Sequence, residues 1–102
     1  MASSQSDERA AEAEVDPGRL LEGEDPDAAD RDDARHWATV YEELRTFKRR
    51  MIQTAEASIA DGIAKPASRE IITTDLVALR AELRRFERRL AFWTRRTEAN
   101  SQ

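Results

Sequence analysis

The sequence predicts an all-α protein: an antiparallel two-helix hairpin of coiled-coil type, preceded by a disordered acidic N-terminal arm. Three observations predict it. Apolar residues recur at alternating three- and four-residue intervals through two long segments. Only three Gly and three Pro occur in 102 residues, too few for a turn-rich β fold. Charge also divides the chain: residues 1–33 carry twelve acidic and three basic side chains, and residues 34–102 carry nine and fourteen, which together give the net −4.

Residues 1–33 hold few large apolar groups beyond Val15, Leu20 and Leu21. Ordering such a segment costs roughly 1–2 kcal/mol per residue in backbone entropy, which so little apolar surface cannot offset. Pro17-Gly18 and Pro26 add turn punctuation. The arm is expected to be a solvated tail, with Val15–Leu21 as its one stretch suited to dock as a short linear motif.

From Ala34 the pattern changes. Trp37, Val40, Leu44, Phe47 and Met51 follow helical spacing, with Tyr41, Ile52, Ala55 and Ile59 widening the stripe. Asp30, Asp32 and Asp33 stand where carboxylates cap free N–H groups and oppose the helix dipole, and Asp61-Gly62 is a natural stop. A first helix is expected over about 33–61.

A link over 62–67 leads to the second helix, expected over about 68–96 with Ser68 as N-cap and Glu70 in the first turn. Here Ile72, Leu76, Leu79, Leu83, Phe86, Leu90 and Trp93 keep a strict a/d seam, and Arg95-Arg96 suits the C-terminal dipole. Residues 97–102 are left as a flexible end.

A short link favours antiparallel neighbours. Facing residue numbers should then sum to a near-constant, and they do: Trp37 with Trp93, Val40 with Leu90, Leu44 with Phe86, Phe47 with Leu83, Met51 with Leu79, Ala55 with Leu76 and Ile59 with Ile72. One seam is a thin core for so few residues. The Tyr41, Ile52 and Ile59 side of the first helix is expected to stay open in a monomer, as an apolar surface for a protein partner. Pairing of two hairpins as a homodimer, or docking on a larger protein, would complete the core.

Composition excludes several chemistries. With no Cys there is no disulfide, thiolate metal site or cysteine nucleophile. The N-terminus lacks the basic and apolar regions of a signal peptide, and no run approaches the ~18 apolar residues of a membrane span, so a cytoplasmic protein is expected. His36 stands alone, and the acidic run Asp25–Asp33 fails the calcium-loop template, having Asp30 where Gly is required and His36 where Glu is required. No Gly-rich phosphate loop is present. Neither a metal nor a cofactor is expected, nor enzymatic activity.

The arginines carry more information. Arg80, Arg84, Arg85, Arg88 and Arg95 fall away from the seam of the second helix, with Phe92 among them and Arg89 and Arg96 nearby. This face reads either as an electropositive surface for phosphates or an acidic protein, with Phe92 stacking, or as a solvated helix exterior. In a third reading the acidic arm folds back on the Arg face and screens it. The expected function is a non-enzymatic protein-interaction module, a small regulator, adaptor or assembly factor. The alternative is a nucleic-acid-associated protein using the Arg face, although the net charge of −4 speaks against it.

Overall fold

The computed structural model describes residues 18–27, 30–62 and 64–99. Two helices, α1 (Arg31–Ala60) and α2 (Pro66–Ala99), pack against each other as a hairpin, with no strand among the described residues. Asp30 caps α1: its backbone is extended and its side chain accepts from the Asp32 N–H at 2.8 Å. At the other end the Asp61 N–H donates to the Ala57 carbonyl, and Gly62, at φ +67°, turns the chain out of the helix.

The second helix begins two residues before the expected Ser68. Pro66 takes the first helical position, where its missing N–H would be unpaired in any residue, and the Arg69 N–H closes the first turn on the Lys65 carbonyl at 2.8 Å. At its far end α2 runs three residues past the expected Arg96, to Ala99.

The helices run antiparallel. Lys48 meets Glu82 at 2.8 Å and Glu56 meets Arg80 at 3.3 Å, so later positions on α1 face earlier ones on α2. The α2 seam lies inward as spaced: Leu76, Phe86 and Trp93 are buried, while Ile72, Leu79, Leu83 and Leu90 are half-buried.

On α1 the inward face differs from expectation. Tyr41 is fully buried and Ile52 is 7% exposed, whereas Phe47 and Met51 are 57% and 38% exposed. The helix is therefore rotated about its axis relative to the 37–40–44–47–51 stripe. Its inward face follows Ala34, Ala38, Tyr41, Arg45, Lys48, Ile52, Ala55 and Ile59, all buried or half-buried. Two of these are cations whose methylene stems fill the seam. The Lys48 ammonium is 5.7 Å from the Phe86 ring centre and is neutralised by Glu82.

A third element completes the core. Residues 18–27, expected to be disordered, lie on the open end of the hairpin. Leu21 packs with Trp37, Ala38, Leu44, Leu90 and Phe92 around a cluster of Ala34, Tyr41, Phe86 and Trp93. The remainder of the expected arm, residues 1–17 and 28–29, and residues 100–102 of the expected tail lie outside the described residues.

Candidate functional site: a buried carboxylate at the open end of the hairpin

The site is built on a tight turn. The Glu24 N–H donates to the Leu21 carbonyl at 3.0 Å, and Gly23, third in the turn, has φ +84°, the value of a type II turn. A Cβ at Gly23 would lie 3.9 Å from the Trp37 ring, so backbone conformation rather than space requires glycine here. The Leu21 N–H in turn donates to Glu24 Oε1 at 3.0 Å, which points the carboxylate back over the turn and into the hairpin.

There Glu24 meets donors from both helices. Its Oε1 accepts from the Tyr41 hydroxyl at 2.6 Å. Its Oε2 accepts from the Trp93 indole N–H at 2.7 Å and from Arg89 Nη2 and Nε at 2.6 and 3.2 Å. The Glu24 side chain is fully buried and that of Arg89 is 13% exposed. A carboxylate taken out of water requires such partners, because an unpaired buried charge is costly. Beside it, Arg85 donates from Nη1 to the Arg19 carbonyl at 3.0 Å and stacks 4.9 Å from the Phe86 ring centre.

Burial alone would raise the Glu24 pKa, but the Tyr41 hydroxyl, the Leu21 N–H, Trp93 and Arg89 together outweigh it and hold the group below its ordinary value. Tyr41 moves the other way, pushed up to about 12 by burial and by the Glu24 carboxylate that its hydroxyl serves. A depressed carboxylate stabilises the fold above its unfolded pKa, and that contribution is lost as pH falls through the folded value. A raised phenol stabilises below its ordinary 10, and that contribution is lost as pH rises through about 12. The arm is thus expected to be held across the neutral range and released at both extremes. As the chain has one Tyr, its phenolate absorbance should appear near pH 12 rather than near 10.

The residues singled out from the sequence are distributed differently. Tyr41 and Ile52, expected on an open apolar surface, are interior, and Ile59 is half-buried; the reason is the rotation of α1. Of the Arg face, Arg85 is 3% exposed and serves the arm, Arg80 is paired with Glu56, and Arg84 is half-buried. Arg88 and Arg95 face solvent. Phe92 is no free stacking platform: it meets Trp93 edge-on at 5.0 Å and carries the Arg89 guanidinium 4.7 Å from its ring centre. His36 lies edge-on to Trp37, and among the described residues no His, Asp and Glu side chains gather as a metal site. Among those residues, too, no helix is long and apolar enough to cross a membrane.

Glu24 was missed from the sequence. The Leu21-Glu22-Gly23-Glu24 string carries a turn signal, but no local pattern ties it to Trp93, 69 positions away. This chain matches no protein-family model, no curated protein and no solved structure.

Proposed function

We propose that the chain is a non-enzymatic interaction module, a small regulator, adaptor or assembly factor whose hairpin receives a helix of a larger protein. The exposed apolar strip on α1 carries this reading. Phe47 and Met51, left outside by the rotation of the helix, form a trough with Ala55 and Ile72, edged by Arg50, Thr54 and Ser58. Phe47 and Arg50 also belong to the adjoining hollow along Thr39, Glu42, Glu43 and Thr46. From Phe47 to Ser58 the apolar trough extends about 16 Å at the helical rise, which suits about three turns of an amphipathic helix.

The nucleic-acid alternative has less to work with, since Arg85 and Arg89 serve the arm and Arg80 serves Glu56. Ile52→Asp is unsuited to testing the surface, because Ile52 is 7% exposed and a charge there would disturb the core. Phe47→Asp is suited. It should leave stability within about 0.5 kcal/mol of wild type, as exposed substitutions do. In a pull-down with a tagged chain, it should abolish a complex that otherwise survives nuclease and high salt, at a cost of about 2 kcal/mol or more. Recovery that collapses with nuclease and is indifferent to Phe47→Asp would transfer the function to the remaining arginines. Recovery of the chain alone, with concentration-dependent sedimentation, would make the occupant a second copy.

A further inference from the structure

The contacts at Glu24 have the form of a ligand in a receptor. The turn is closed within itself by Glu24 N–H to Leu21 carbonyl and Leu21 N–H to Glu24 Oε1. What it offers to the hairpin is discrete: one carboxylate, the Leu21 side chain, and the Arg19 carbonyl that meets Arg85. The hairpin offers the complement. Tyr41 from α1 and Arg89 and Trp93 from α2 converge on the two carboxylate oxygens, at 2.6 to 3.2 Å. All three side chains are seated by packing or stacking of their own: Tyr41 on Phe86, Trp93 on Phe92, and Arg89 over the Phe92 ring. A guanidinium aided by two neutral donors is an oxyanion-binding arrangement, and here its occupant is a carboxylate.

We propose that the Tyr41–Arg89–Trp93 pocket is a recognition site for an acidic peptide turn of a second protein, a Leu followed three residues later by Glu, and that the tethered Leu21–Glu24 turn fills it in the free chain. The short connection from Glu24 to the start of α1 holds the turn near the pocket at an effective concentration on the order of millimolar, so a modest intrinsic affinity suffices to keep it closed. A partner bearing the same turn displaces it by making the same contacts. The pocket lies at the open end of the hairpin and does not depend on the Phe47 trough.

The test uses the full-length chain. Glu24→Gln keeps an acceptor for Tyr41 and for the Leu21 N–H but puts an uncharged NH2 donor where Oε2 accepts from Trp93 and Arg89, so the tethered turn is weakened while the two helices stay paired. A synthetic peptide of residues 18–27 is titrated into this variant and followed by the Trp93 indole N–H resonance. Saturable binding is expected, about tenfold weaker when the peptide carries Gln in place of its Glu. Equal binding of both peptides, or none, overturns the proposal. A second measurement needs no variant. In the wild-type chain the Leu21 and Glu24 amides should exchange with solvent at least about tenfold faster than core amides of α1 and α2, because the turn opens locally. Exchange of those amides only by global unfolding would make the turn a permanent part of the core and overturn the proposal.

Discussion

Trp93→Ala is expected to remove about 3–5 kcal/mol of stability, a large share of what a small domain possesses. Trp93 is fully buried, lies edge-on against Phe92 and belongs to the central cluster with Ala34, Tyr41 and Phe86. Truncation opens a cavity at the open end of the hairpin, beneath the Leu21–Glu24 turn that bridges the two helices there. It also removes a donor from Glu24, which is then left less well satisfied in a buried setting. At about 4–8 °C per kcal/mol for a domain of this size, the melting temperature should fall by at least about 12 °C. Trp93→Phe separates the two contributions. It restores most of the ring and omits the N–H, so its loss should be about 1–2 kcal/mol. Urea melts followed by helical circular dichroism measure both, and a Trp93→Ala loss below about 1 kcal/mol would contradict the burial described.

Glu24→Ala is expected to cost about 3 kcal/mol by a different route. No large cavity forms, but the Tyr41 hydroxyl, the Trp93 N–H and the Arg89 guanidinium lose their common acceptor. Removing one partner of a buried charged pair costs about 3–5 kcal/mol when the other stays buried. Here the loss is capped, because the turn can lift away and let water reach the three donors. The helices should therefore remain folded while residues 18–27 are released. The single Tyr reports this directly: without the neighbouring carboxylate and with part of its cover gone, its ionisation should return from about 12 toward 10. Tyr41 ionisation unchanged from wild type would show that Glu24 does not govern this environment.

The exposed ion pairs promise much less. Arg80–Glu56 and Arg49–Glu87, at 3.3 and 3.9 Å between half-exposed side chains, belong to the class worth about 0–1 kcal/mol. Both pairs join α1 to α2 in the antiparallel register.

The seam of α2 was legible because its inward positions are apolar throughout, so periodicity alone locates them. The seam of α1 was only partly legible. Its inward face includes Arg45 and Lys48, whose stems pack although their heads are charged, and a search for apolar spacing passes over both. That search settles instead on Phe47 and Met51, whose spacing is equally helical but whose side chains face solvent. Tyr41 compounds the difficulty, since its hydroxyl belongs at a surface unless an acceptor is supplied. The acceptor comes from Glu24, in a segment whose composition alone indicates disorder.

The sequence by itself determined the two helices, their antiparallel course, the face of α2 that turns inward, and the division of charge between residues 1–33 and 34–102. These follow from local propensity, periodicity and link length, which act over a few residues. Only the tertiary structure decided the rotation of α1, the docking of residues 18–27, and which arginines serve the interior rather than the surface. Each of those rests on a polar contact between distant positions, such as Glu24 with Arg89 and Trp93, and a buried polar group is satisfied by whatever the fold brings near it.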